Sequence, residues 1–299
     1  MVPAGSCILP SPSNAFDLFS TLSRPATIAV GAGRAAWKLA ARGAVLVLLT
    51  AAMERPAAAT PPSLANVSPA EVDVALVLAV DASSSMDDGE RVLQRDGYAK
   101  ALTSSRVLDA IKFGRQRRIA VTFFEWGSQD SQVVVAPWTI IDGPDAARAL
   151  ASRIAETPSK DLQRTSISAA LAFAGKLLSE SGLRAAREVI DVSGDGPNND
   201  GIVASDARDA LVARGVTING LPIVTKSSDD WLAMPDLDQY YEHCVIGGEG
   251  AFVIPVKGME NFGKALEMKL IMEIAGLTRD HPAVMPAAER DWSNCKIYE

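Results

Sequence analysis

The feature of the sequence that most constrains its fold is a nearly uninterrupted apolar run, Val72–Val80. It reads Val-Asp-Val-Ala-Leu-Val-Leu-Ala-Val, so Asp73 is its one polar residue. A strand with one face in water alternates apolar and polar residues, whereas a continuous apolar, β-branched run is typical of a strand covered on both faces. The run therefore predicts the central strand of an α/β protein whose sheet is packed between helices.

Apolar runs and helical patterns alternate from this strand to residue 276. Further strands are predicted at 118–126, 131–141, 188–192, 216–224 and 250–256, and helices at 90–102, 104–111, 142–155, 166–181, 204–214, 236–242 and 259–274. The second and third strands are too close for a crossover helix and should pair antiparallel, with Pro137 marking the third as an edge strand. Right-handed crossovers then predict a doubly wound, Rossmann-like, mostly parallel six-stranded sheet with one antiparallel edge strand and helices on both faces.

The N-terminal residues have the composition of an export signal. Residues 1–42 contain four basic residues and one acidic residue, a short apolar run follows at 43–53, and Ala57-x-Ala59 fits a signal peptidase site. Lys38 and Arg42 interrupt the run of about 20 apolar residues that a membrane-spanning helix needs, which favours a cleaved signal over an anchor. We therefore predict a secreted or periplasmic protein without a stable membrane span. Its predicted parts are an N-terminal extension with signal peptide (1–59), a linker (60–70), one folded domain (71–276) and a C-terminal tail (277–299).

Charge and cysteine content limit which partners the protein is expected to bind and in which compartment it is expected to lie. The net charge of −7 becomes −10 after removal of residues 1–59, which contain five basic and two acidic residues. Such an acidic product is not expected to bind nucleic acid or an anionic membrane through bulk charge. Cys244 and Cys295 remain after signal cleavage, and in an oxidising compartment they form a candidate disulfide between domain and tail. Two buried free thiols are the alternative.

Oxygen-bearing side chains lie in three loops at the ends of predicted strands or helices. Asp81, Ser83 and Ser85 follow the first strand, Thr165 precedes a helix, and Asp195 follows the fourth strand. Because the carboxyl ends of parallel strands open at one edge of the sheet, we expect these side chains to converge there. Carboxylate and hydroxyl oxygens suit a hard cation, whereas helix caps and turns explain each residue separately but not the set.

This pattern resembles the metal site of the von Willebrand factor A family, in which Asp-x-Ser-x-Ser, a later threonine and the aspartate of an Asp-Gly pair hold the ion. The resemblance spans residues 72–224. The residues that it implies as ligands are Asp81, Ser83, Ser85, Thr165 and Asp195. It also implies Mg²⁺ or Mn²⁺ as the cofactor, held largely by hydroxyls, with an open position that captures an Asp or Glu carboxylate of a protein partner.

Two positions depart from the family pattern. Family members commonly have glycine immediately before the threonine and three residues after it, where this chain has Arg164 and Ser168. Arg164 would either approach a bound acid or pair with Asp161 on the surface, and we favour the surface pair.

Two other functions use the same loops. A serine hydrolase needs a histidine beside its serine, and the two histidines, His243 and His281, lie far along the chain from these loops. Glu125, at the end of the second strand, would be the base of a metal-assisted phosphoesterase, although capping a loop or pairing with Arg118 is the favoured interpretation. The other alternative is a scaffold without metal. We expect an adhesion-type binding domain and no enzymatic activity.

Overall fold

A computed structural model of the chain describes residues 69–224, 234, 236–277 and 295–298. The predicted signal peptide, most of the linker and most of the tail lie outside these residues. Within them, no helix has the length and hydropathy that crossing a membrane requires.

The described strands form one six-stranded sheet in the order β3-β2-β1-β4-β5-β6. The strands are β1 (Ala70–Asp81), β2 (Ile119–Trp126), β3 (Gln132–Ile141), β4 (Leu183–Gly194), β5 (Thr217–Val224) and β6 (Val256–Lys257). Only the β2–β3 pair is antiparallel, and Pro137 lies on the edge strand β3. The doubly wound sheet with an antiparallel edge strand is therefore confirmed.

Seven α-helices are present among the described residues. They are α1 (Asp88–Leu102), α2 (Ser105–Phe113), α3 (Pro144–Glu156), α4 (Ile167–Glu180), α5 (Ala204–Val212), α6 (Leu237–Tyr240) and α7 (Phe262–Ala275). A π-helical turn, Tyr241–Val245, continues α6 directly. Cys244 in this turn forms the predicted disulfide with Cys295, so the C-terminal residues are tied to the domain.

Two apolar layers explain why β1 is almost continuously apolar. Its even-numbered residues 74–80 pack in one layer with α1, α2, α3 and α7. Its odd-numbered residues 75–79 pack in the other layer with α4, α5, α6 and the π-helical turn. A strand at the centre of such a sheet has no solvent face, and each of its side chains must therefore be apolar or have a specific partner.

Two strand boundaries differ from the prediction. β4 begins at Leu183 rather than at residue 188, because its partly exposed first residues pair with the start of β1. The last strand was predicted at 250–256 but comprises only Val256–Lys257. Before it, the chain makes only isolated contact with β5, where Phe252 and Ile254 bracket Gly220 through backbone hydrogen bonds.

Candidate metal site

Hydrogen bonds link the first loop to the end of β4. Asp81 ends β1 with its side chain fully buried, and its Oδ1 accepts a hydrogen bond from the Ser83 backbone N–H at 2.7 Å. The Ser83 and Ser85 hydroxyls lie 2.8 Å apart, and the Ser85 hydroxyl donates to Asp195 Oδ1 at 2.6 Å. Four of the five predicted ligands therefore form one connected group at the carboxyl edge of the sheet.

The threonine loop lies beside this group. Leu162 forms an isolated parallel bridge with Ser83, which aligns the loop before α4 with the loop after β1. Thr165 is buried, and a methyl group on Gly196 would lie 4.0 Å from its hydroxyl oxygen. The Thr165 hydroxyl therefore lies near Gly196, the residue after Asp195, and the threonine loop lies next to the group that the other four side chains form.

The asparagines after Asp195 hold the threonine loop in place. The Thr165 N–H donates to Asn199 Oδ1 at 2.9 Å, and the Asn199 N–H donates back to the Thr165 carbonyl at 2.8 Å. Asn198 Oδ1 accepts from the Ser168 N–H at 3.0 Å. Their positioning role depends on contacts between residues 30 and 34 positions apart, which the local sequence pattern does not indicate.

The electrostatics of Asp81 fit a missing positive charge. Burial, and next the negative charge of Asp195, raise the pKa of Asp81 to about 8, while hydrogen bonds from Ser83 and from the Asp195 backbone oppose the shift. Asp81 Oδ2 is buried and has no hydrogen-bond partner among the described residues. A cation between the two carboxylates would remove their repulsion and offset the cost of burying an unpaired polar atom.

The donor set also indicates which cation would fit. Within the described part of the chain, no group of three or more His, Cys, Asp or Glu residues could hold a metal. Two carboxylates and three hydroxyls are hard oxygen donors of the kind that suit Mg²⁺ or Mn²⁺.

Arg164 occupies a backbone conformation that explains the glycine of related sequences. Its φ of 61° lies in the left-handed region, which glycine enters without steric cost and arginine does not. The side chain is 65% exposed, and its Nη1 lies 3.9 Å from Asp200 Oδ1. The predicted pairing with Asp161 is therefore wrong. Asp200 is the nearer acid because its loop is hydrogen-bonded to the start of α4, where Ser166 Oγ donates to the Asp200 carbonyl.

Glu125 is engaged in an ion pair. Its Oε1 accepts from Arg95 Nε at 2.7 Å and from Ser159 Oγ at 3.0 Å, and the carboxylate is buried. The predicted pairing with Arg118 is wrong because the two residues lie at opposite ends of β2, about 23 Å apart at about 3.3 Å per residue. The Glu125 carboxylate is therefore held by Arg95 and Ser159.

Fold and loop arrangement together define an α/β domain of the von Willebrand factor A type. More specifically, the chain belongs to the family described as "Protein of unknown function (DUF1194)", whose profile matches residues 71–278. No curated protein shows significant sequence similarity to the chain.

Solved structures with the same fold are distant in sequence. Proximal thread matrix protein 1 from the mussel byssus is 14% identical, with a TM-score of 0.50 over 69% of this chain and 49% of that protein. The pilus adhesin SpaC from Lactobacillus rhamnosus GG is 13% identical, with a TM-score of 0.51 over 71% of this chain and 31% of SpaC. A von Willebrand factor type A protein from Catenulispora acidiphila is 14% identical, with a TM-score of 0.49 over 68% of this chain and 43% of that protein. The chain spans less than half of each, and the likeness concerns the fold alone.

Proposed function

We propose that the domain binds Mg²⁺ or Mn²⁺ and that the bound ion captures a carboxylate of a protein partner, without turnover. The residues that would hold the ion are Asp81, Ser83, Ser85, Thr165 and Asp195. The observation that carries the proposal is the buried Asp81 carboxylate, which faces Asp195 and has one oxygen without a hydrogen-bond partner among the described residues.

The donor set supports capture of an acidic group. Three of the five donors are neutral hydroxyls, so the protein neutralises the ion less completely than a cage of carboxylates would. Mg²⁺ also tends to keep water ligands, and a carboxylate from a partner can replace one of them. Glu125 accepts hydrogen bonds from Arg95 and Ser159. This arrangement gives no support to a phosphoesterase that would use Glu125 as its base.

Calorimetric titration with Mn²⁺ and Mg²⁺ tests the metal. The wild type should release or absorb heat with one-site stoichiometry, Asp81→Asn should show none, and Asp130→Asn, a change at an exposed acid, should bind as the wild type does. If the wild type gives no heat with either ion, the domain is a scaffold without metal and the proposal fails.

Paired peptides test the captured group. The Mn²⁺-loaded protein should bind an immobilised glutamate-containing peptide more tightly than the same peptide with glutamine, and chelation should remove the difference. Equal binding of both peptides would contradict the capture of a carboxylate but not the proposed binding of the metal.

We further propose that the protein is exported. The Cys244–Cys295 disulfide supports this because such bonds persist in oxidising compartments. Expression of the full chain in a bacterial host, with mass spectrometry of the mature N-terminus, should find cleavage after Ala59. An intact, cytoplasmic N-terminus would contradict export.

A further inference from the structure

Tyr241 extends towards the candidate metal site over one face of the sheet. It begins the π-helical turn after α6 and is fully buried. A methyl group on Gly220 of β5 would lie 2.7 Å from its ring, and one on Gly194 of β4 would lie 2.8 Å from its hydroxyl. Two glycines on neighbouring strands therefore create the space in which this side chain lies against the sheet, since any larger residue there would collide with it.

The Tyr241 hydroxyl ends close to Asp81. The position that a Gly194 methyl group would occupy is 2.8 Å from the tyrosine hydroxyl and also 2.8 Å from Asp81 Oδ2. Both atoms are buried, and neither has a hydrogen-bond partner among the residues that the structure describes. A hydroxyl donor and a carboxylate acceptor left unpaired side by side would each cost about 1–3 kcal/mol.

We infer that Tyr241 is a positioning residue for the cation site, whose hydroxyl donates to Asp81 Oδ2 once the cation is bound, and this inference rests on the proposed function. The Ser83 N–H already holds Oδ1 at 2.7 Å. A second donor on Oδ2 fixes the rotation of the carboxylate and stabilises its negative charge in a region that water does not reach. Tyr241 acts through Asp81 and does not itself contact the ion.

The surrounding turn keeps Tyr241 in place. Its neighbour Tyr240 accepts a hydrogen bond from the Asn198 N–H at 3.2 Å, so two consecutive tyrosines contact the two acidic loops of the site. Three residues later, Cys244 is bonded to Cys295. The turn is thus held both to the loop after β4 and to the C-terminal residues, which limits movement of the Tyr241 hydroxyl away from Asp81.

The test compares two tyrosine-to-phenylalanine variants. Tyr241→Phe removes the hydroxyl and keeps the ring on Gly220. Tyr98→Phe is the matched control, because Tyr98 is equally buried but its hydroxyl contacts Ser193 Oγ at 3.2 Å. Mn²⁺ affinity is measured by calorimetry and thermal unfolding is measured in EDTA. We expect Tyr241→Phe to weaken Mn²⁺ binding about tenfold, as loss of one hydrogen bond to a charged group does, with an unchanged unfolding temperature in EDTA. Tyr98→Phe should bind Mn²⁺ as the wild type does.

The outcomes separate this inference from the proposed function. If the wild type binds Mn²⁺ and Tyr241→Phe binds it equally well, the positioning role is wrong and the metal site stands. A lower unfolding temperature in EDTA with unchanged Mn²⁺ affinity likewise assigns Tyr241 to packing alone. If the wild type binds no cation, both proposals are overturned.

Discussion

Two buried acidic pairs lie in or just beyond β4, and a lysine side chain neutralises the first of them. Lys269 Nζ on α7 lies 2.7 Å from Asp191 Oδ1 and 2.5 Å from Glu273 Oε1, with all three side chains buried. Four residues along the strand, Asp195 is linked through the serine hydroxyls to Asp81, which forms no ion pair among the described residues. The protein itself neutralises the first pair, whereas the second pair belongs to the candidate metal site.

The positions of the two pairs in the fold explain why Lys269 reaches the Asp191–Glu273 pair and not the pair at the edge of the sheet. Helix α7 packs across a face of the sheet, so a lysine on it can reach the middle of β4. The carboxyl edge of the sheet is formed by loops, and those loops supply hydroxyls and backbone N–H groups. Burial raises the pKa of Asp81 to about 8 and that of Glu273 to about 7, and Lys269 opposes the shift at Glu273 as it does at Asp191. A buried acid therefore indicates a ligand site only where no positive group of the protein neutralises it.

The largest expected effect comes from removing the internal charge. Lys269→Met leaves Asp191 and Glu273 buried without their cation, and we expect the free energy of unfolding to fall by about 3–5 kcal/mol. Chemical denaturation measures this fall. The control, Lys112→Met, changes an exposed lysine that pairs with Asp109 and should cost less than about 1 kcal/mol. Equal losses in the two variants would contradict the structural role of Lys269.

The Cys244–Cys295 disulfide holds the turn that carries Tyr241, the residue near the Asp81–Asp195 pair. Cys244→Ala with Cys295→Ala should lower the free energy of unfolding by about 3 kcal/mol, because the bond closes a loop with a sequence separation of 51 and restricts the unfolded chain. Denaturation with and without a reductant measures the effect. Reductant should destabilise the wild type by a similar amount and leave the double variant unchanged. A reductant-insensitive wild type would mean that the bond contributes nothing to stability.

The pH dependence of stability, measured with and without Mn²⁺, separates the Asp81–Asp195 pair from the Asp191–Glu273 pair. Without a divalent cation, folded Asp81, with its pKa of about 8, keeps a proton that the unfolded chain releases near pH 4. Stability therefore falls as the pH rises from about 4 to about 8. The raised pKa values of Asp191 and Glu273 act in the same direction.

Excess Mn²⁺ should remove only the part of this slope that belongs to Asp81, because the ion keeps that carboxylate ionised. Denaturation curves from pH 5 to 8, with Mn²⁺ and with EDTA, measure the difference. In Asp81→Asn the two curves should coincide. An identical slope with and without Mn²⁺ in the wild type would contradict the assignment of Asp81 to the ion.

The smallest expected effect concerns the left-handed backbone conformation of Arg164, beside the candidate metal site. Arg164→Gly relieves a left-handed conformation and should raise the free energy of unfolding by about 0.5–1 kcal/mol, net of the greater entropy of glycine in the unfolded chain. Arg164→Ala removes the guanidinium but keeps the Cβ atom, so it should not stabilise the protein. If alanine and glycine act alike, the gain comes from the lost charge and not from the backbone.

Much of the fold was predictable because it depends on local pattern. The apolar run before Asp81 could only be a strand covered on both faces, and the short β2–β3 connection allowed only an antiparallel pair. The candidate ligands were predictable for the same reason, since Asp81, Ser83 and Ser85 are close in sequence and a parallel sheet brings the loop after β4 to the same edge.

Contacts between distant residues could be decided only by the tertiary structure. Arg95 rather than Arg118 pairs with Glu125, and Asp200 rather than Asp161 lies near Arg164, because helix packing and loop pairing set these distances. Lys269 looks from sequence like any lysine on an amphipathic helix, yet its ammonium group is buried between two acids.

The sequence by itself therefore determined the central strand, the α/β class and which oxygens meet at one edge of the sheet, because strand and loop order follow from residues that are neighbours along the chain. Only the tertiary structure decided which buried acids carry an internal cation and that Tyr241 reaches Asp81 across two glycines. Those outcomes depend on how helices and turns pack over the sheet, where a shift of a few ångströms determines whether a buried charge has a partner.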